Sequence, residues 1–372
     1  MQSPLPIFIG IVLLGVLAVE PARAEKGDGK KADFKMQGRL GLGAETNADD
    51  RVEDVFETRL GIRTKRKKGT RVNVELRADE GSREVLINDA FADYRDKSKT
   101  HRVRGGRGKK IMGWEYEYPT ADRLSIHRSL AYSYLADRAL VGRDYFVSYH
   151  WFDRADEPAE SSEKDSETEE VEAKTRESDL DSSVANPTFM IDPDQKWKLG
   201  ASVHYDESKN AAYILDAIAT LGDKWRVGAW LSMQWTRSQH RRLDTLEGVL
   251  SALFQSGKHR ATAEVFAGGD PSRTLIAKFY GSGRTVSFAA AKLDYGAYFG
   301  EWNPYIVLTR LWRDLAHRGD YSDERILGIR RYLGEDFSVA AELRSAVSRS
   351  DYDLTTVPYQ HETVGFIARY FF

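Results

Sequence analysis

Trp225-Arg226-Val227-Gly228-Ala229-Trp230-Leu231-Ser232-Met233-Gln234-Trp235-Thr236 carries Trp225, Val227, Ala229, Leu231, Met233 and Trp235 at every second position. Arg226, Ser232, Gln234 and Thr236 lie between them. A period of two marks a strand with two unlike faces, whereas a helix would bring apolar residues back every three or four positions. Aromatic residues at both ends of the apolar face suit a surface whose middle meets hydrocarbon and whose ends meet the membrane–water interface.

The same alternation recurs along the chain. Phe56, Leu60 and Ile62 alternate with Glu57, Arg59 and Arg63, and Trp197, Leu199, Ala201, Val203 and Tyr205 with Lys196, Lys198, Ser202 and His204. The last strand, Val364, Phe366, Ala368, Tyr370 and Phe372, ends on an aromatic. These stretches run to roughly ten or more residues against a usual ~5–6, and tight turns such as Lys67-Lys68-Gly69 and Ser256-Gly257 join them. A soluble β-sandwich also alternates, but its polar faces carry scattered Ser and Thr rather than repeated Arg and Lys. The reading is all-β: a transmembrane antiparallel β-barrel. Seventeen candidate strands are visible. A barrel with both chain ends on one side needs an even number, so one segment between 269 and 300 is assigned to a connection. Sixteen strands leave an aqueous lumen.

The bulk numbers agree. A mean hydropathy of −0.53 with 30% charged residues excludes a helical membrane protein, but a barrel strand needs only ~9–11 residues with alternate ones apolar. Zero cysteines exclude a disulfide framework and a Cys-ligated metal. Residues 154–181 hold twelve acids and four bases, a local −8 that leaves +6 for the rest when the whole is −2. The surrounding segment 154–192 reads as a disordered acidic insertion on the side of the chain termini. Ile7–Val19 is apolar and Ala22-Arg23-Ala24 precedes Glu25. Residues 1–24 are therefore expected to be a signal peptide and residues 25–372 the barrel.

Asn88-Asp89-Ala90-Phe91-Ala92-Asp93-Tyr94, then Arg102-Val103-Arg104-Gly105-Gly106-Arg107-Gly108-Lys109-Lys110, resembles the strand-turn-strand before the constriction loop of the phosphate-selective porin O and P family. Ile126-His127-Arg128-Ser129-Leu130-Ala131 and Gly142-Arg143-Asp144 resemble the end of that loop and the returning strand, and Leu327–Arg344 the penultimate hairpin. The resemblance implies a bacterial outer-membrane porin in which residues 109–142 fold into the lumen as a constriction loop. It also implies an aromatic C-terminus, Phe372, read by the barrel-assembly machinery. Residues 102–143 hold nine Lys or Arg against four acids. In a confined lumen that excess attracts anions more than it would on an open surface, and guanidinium groups grip phosphate oxygens in bidentate fashion. The expected constriction residues are Lys109, Lys110, Arg123, Arg128 and Arg138, with Arg59, Arg63, Arg102 and Arg104 as wall charges. Each could instead be tied up by Glu57, Asp89, Asp93, Glu115 or Asp122.

Other motifs carry less. Gly105-Gly106-Arg107-Gly108-Lys109-Lys110 lacks the Ser or Thr and the following helix of a P-loop. Eight scattered histidines do not build a metal cluster, and no Ser, His and carboxylate set is specified. The expectation is a diffusion pore for small, anionic, phosphate-type solutes, embedded in outer-membrane lipid and assembled as a homotrimer. It has no catalytic activity, cofactor, metal or nucleic-acid partner. The alternatives are an exporter of acidic polysaccharide and a closed barrel serving as adhesin or enzyme scaffold.

Overall fold

An open sheet edge in hydrocarbon leaves backbone groups unbonded, so a membrane sheet must close. The computed structural model shows the closure. It describes residues 34–46, 52–78, 85–117, 124–126, 128–137, 140–154, 195–206, 210–238, 241–279, 285–317, 319–334, 337–349 and 359–371. The expected signal peptide, nearly all of the acidic insertion, Arg123, Arg138 and Phe372 lie outside the described residues.

The strands are β1 (Phe34–Thr46), β2 (Val52–Thr64), β3 (Thr70–Ala78), β4 (Val85–Arg95), β5 (His101–Lys110), β6 (Gly142–Arg154), β7 (Gln195–Tyr205) and β8 (Ala211–Leu221). They continue with β9 (Trp225–Ser238), β10 (Arg241–Ser256), β11 (His259–Gly269), β12 (Ser287–Ala297), β13 (Trp302–Trp312), β14 (Tyr321–Tyr332), β15 (Phe337–Arg349) and β16 (Tyr359–Phe371). Each pairs antiparallel with its chain neighbours, and β1 closes on β16 with Leu42 opposite Ala368. The count of sixteen is the expected one. Among the described residues three helices lie in connections: α1 (Trp114–Glu117) and α2 (Leu130–Asp137) between β5 and β6, and α3 (Pro271–Phe279) between β11 and β12. Of the two candidate strands between 269 and 300, 274–281 falls at α3 and in the connection, and 285–295 forms β12.

The glycine turns at Gly69, Gly222, Gly257, Gly300 and Gly334, all at positive φ, fall at one end of the barrel. The connections 111–141, 270–286 and 313–320 fall at the other. Outside, Leu199, Leu215, Leu231 and Leu250 are exposed. They lie between exposed aromatics at the turn end (Trp197, Trp225, Trp302) and at the loop end (Tyr145, Tyr205, Tyr213). An apolar band between two aromatic belts around a closed barrel is the surface of an outer-membrane protein.

One boundary differs from expectation. Lys109 and Lys110 belong to β5, opposite Arg143 and Gly142 of β6, so the connection spans 111–141 rather than 109–142. The cause is local: β6 already begins at Gly142 and supplies ladder partners for both lysines.

The inner face departs from simple alternation between β8 and β16. Ile214, Ile218, Trp230, Leu253, Phe266 and Phe288 point inward and are buried, which inside a water-filled barrel requires something apolar to cover them. The cover is the 111–141 connection. Met112, Trp114, Tyr132, Tyr134 and Leu135 pack on that wall, with the Trp114 and Trp230 rings edge to face at 5.1 Å. Farther round, Leu124 packs on Tyr305, Val307 and Ile326, and Ile126 on Ala340 and Ile367. The turn into the lumen is made at Gly113 (φ 76), where a β-carbon would collide with the Tyr132 hydroxyl.

Candidate functional site

A backbone segment inside a barrel has amide and carbonyl groups that neither the ladder nor bulk water serves, so the wall must supply partners. Carboxylates on the inner wall take the amides. Glu264 of β11 accepts from the Trp114 amide (2.8 Å), the Tyr132 hydroxyl (2.7 Å) and Ser251 Oγ (3.1 Å). Glu324 of β14 accepts from the Leu130 amide (2.8 Å), and Glu342 of β15 from the Ile126 amide. Basic groups take the carbonyls: Arg330 donates to Leu124 O (3.0 Å) and Arg369 to Ile126 O (3.1 Å). Lys292 of β12 sits among Asp294 (2.7 Å), Glu264 (3.2 Å) and Glu115 of the connection (3.5 Å). Gly328 of β14 makes one of these anchors possible. The Tyr305 ring crosses over it so that its hydroxyl donates to Glu342 at 2.6 Å, and a β-carbon at 328 would overlap the ring.

The opposite wall, β1 to β6, is different. Leu60 and Ile62 face outward, so Arg59 and Arg63 face the lumen. Arg39, Arg59 and Arg77 stand directly opposite one another across β1, β2 and β3. Like charges in facing positions destabilise a sheet, and here Arg59 is held by Glu75 of β3 at 3.3 Å. Nearer the turn end, the fully buried Asp93 of β4 takes three arginines: Arg102 (2.7 Å), Arg66 (3.0 Å) and Arg71 (3.2 Å). One carboxylate for three guanidiniums leaves that cluster positive while fixing its geometry. Arg104 lies flat on Phe91, 4.2 Å from the ring centroid, and beside Phe146 at 5.6 Å. Asp93→Asn would leave three partly buried guanidiniums without their counter-charge, which is expected to cost about 2–3 kcal/mol of barrel stability, below the ~3–5 kcal/mol of a fully buried pair. The midpoint of thermal unfolding, followed by loss of the compact electrophoretic form, measures it.

The two walls therefore have separate duties. Glu264, Glu324, Glu342, Arg330 and Arg369, on β11 to β16, bind the inner connection. From β1 to β5 the inner face carries Arg39, Arg59, Arg63, Arg77, Arg102 and Arg104.

Several solved structures share this architecture. A structure of an anion-selective porin from Comamonas acidovorans superposes with a TM-score of 0.61 at 12% identity, over 91% of this chain and 99% of that one. The outer-membrane channel DcaP of Acinetobacter baumannii gives 0.61 at 11% identity, over 93% and 100%. OmpT of Vibrio cholerae in a trimer form gives 0.59 at 10%, over 91% and 99%. The fold is that of the outer-membrane porins. No family model matches the chain, and no curated protein does. The likeness thus extends to porins in general and does not single out the phosphate-selective family.

Within the porin fold the sequence-derived residues separate. Arg59, Arg63, Arg102 and Arg104 point to the inside of the barrel, and Arg102 is committed to Asp93. Lys110 is buried against Asp144 at 2.9 Å. Lys109 lines a water-sized cavity of about 20 Å³ with Arg104, His150 and Lys198. Arg128 lies in the inner connection, where its carbonyl accepts from Arg344 (3.4 Å). Arg39, Arg66, Arg71, Arg77 and Arg95 were not singled out by sequence, because only register shows that they share a wall with Arg59. The anchoring acids Glu264, Glu324 and Glu342 were missed as well. A signal existed in β8, whose Ile214 and Ile218 oppose Tyr213 and Leu215: a strand apolar on both faces is covered on both.

Proposed function

We propose that the protein is a passive diffusion porin for small anionic solutes. The observation that carries the reading is the segregation of charge: acids from β11 to β15 are occupied with the inner connection, while Arg39, Arg59 and Arg77 stand in register on the facing wall. A solute crossing the narrowed lumen meets one wall rich in arginine, in a space with less than bulk dielectric screening, so an anion gains and a cation loses. Phosphate-type solutes are the finer proposal, supported by the resemblance of residues 88–144 and by the match of guanidinium to phosphate oxygens. Lys109, Lys110, Arg123, Arg128 and Arg138 remain the proposed constriction contribution. Passage needs no catalytic group or cofactor. A homotrimer is the proposed assembly, in keeping with the trimer form of the Vibrio cholerae structure.

Proteoliposomes test this directly. Organic anions are expected to enter several-fold faster than cations of the same size, and equal or inverted rates would refute the reading. Activity on lipid or ester substrates without solute entry would instead favour a scaffold or enzyme barrel.

A further inference from the structure

The apolar outer band carries charged side chains on β13 and β14. On β13 and β14, Arg310, Asp323 and Arg325 alternate with inward Leu311, Glu324 and Ile326, so they face outward, where the membrane lies. Arg310 binds Asp323 through two contacts of 2.6 Å, and its guanidinium stands 5.1 Å from the Tyr321 ring and 5.7 Å from the Trp312 ring. Arg325 is exposed and makes no side-chain hydrogen bond or ion pair with a described residue. Its cross-strand neighbours are Leu308 and Ser345, and Leu327 and Ile329 follow on the same outer stripe.

A lone guanidinium facing hydrocarbon is costly, and the position of Arg325 shows how that cost is met. It lies four positions from Tyr321 at the loop end, roughly 10 Å of membrane depth for a tilted strand. An arginine stem spans much of that distance, so its head reaches the level of Arg310 and the aromatic belt. Exposed Arg349 stands at the same rim. The facing acids are Asp323, already bound to Arg310, and Glu362, two strands away on β16 opposite Ser345. Among the described residues of the sector, three arginines stand against these two carboxylates. The turn end of the same strands has no such excess, since Arg331 is matched by Glu301 at 3.0 Å.

We propose that this sector of the outer face binds the phosphate group of an anionic lipid in the leaflet at the loop end, with Arg325 and Arg310 as its ligands. Arg310 is held in place by Asp323 and flanked by two aromatic rings. Arg325 supplies the uncompensated charge. Together they form a two-guanidinium clasp at headgroup depth, and the chemistry selects phosphate over a neutral headgroup.

Native mass spectrometry of the purified protein in detergent tests it, with diphosphorylated lipid A and its dephosphorylated form as probes. The wild-type protein is expected to retain the diphosphorylated lipid preferentially. Arg325→Gln and Arg310→Gln are expected to weaken that retention at least about tenfold, the scale of one lost charge-assisted hydrogen bond. The dephosphorylated lipid should bind all three proteins equally. Unchanged heat resistance of the variants establishes that the barrel is intact. Equal retention of both lipids by the wild type would overturn the proposal, as would retention unchanged by Arg325→Gln. If the variant instead loses subunits while lipid retention stays constant, the sector contacts a second copy of the chain and the lipid assignment is wrong.

Discussion

Glu264→Ala is expected to release the 111–141 connection from the wall and raise single-channel conductance severalfold, with added current noise. The carboxylate is the acceptor for the Trp114 amide, the Tyr132 hydroxyl and Ser251, and a partner of the buried Lys292. Removing one member of a buried charge network leaves the others uncompensated, at about 3–5 kcal/mol. The barrel itself should survive, because its closure rests on sixteen paired strands rather than on the connection. The loss therefore falls on the connection, whose apolar residues can leave Trp230 and Phe266 and admit water. Trypsin cleavage at Arg128 in folded protein gives a second reading. Unchanged conductance together with full protection from trypsin would show that Glu264 is not an anchor.

The second large effect concerns selectivity. Replacing Arg39, Arg59 and Arg77 together by Gln removes three positive charges from one registered row of the free wall. At about 8 Å and an effective dielectric of ~40, each contributes about 1 kcal/mol to an anion in the lumen and opposes a cation equally. Allowing for salt screening, the anion-to-cation permeability ratio is expected to fall at least about tenfold. Glu75 loses its partner Arg59 in this variant and adds to the change in the same direction. Conductance should change far less than selectivity, because the aperture is set by the connection. A variant with wild-type selectivity would move the filter elsewhere.

The sequence and the structure agree where one periodicity decides the outcome. Alternation in Trp225–Trp235 and Val364–Tyr370 is enough to assign faces, since a strand has only two. Parity required one segment between 269 and 300 to be a connection without saying which, and the structure places it at α3. The inner site was less legible for two reasons. First, which arginines meet depends on register between strands that no single segment encodes: Arg39 and Arg77 lie thirty-eight positions apart in the chain and one strand away from the same Arg59. Second, the acids that neutralise a local charge count need not lie in that segment. Glu115 in the connection binds Ser129 and Lys292, while Asp93, outside it, holds Arg102. Counting charges over residues 102–143 therefore cannot give the local balance, which register and distant acids set.

The zero-current potential of the wild-type protein in a planar bilayer, under a tenfold potassium chloride gradient, tests the central claim most directly. If the arginine wall from β1 to β6 borders the open passage, chloride leads and the dilute side becomes negative. A positive dilute side would mean that cations lead and that this wall does not control the passage.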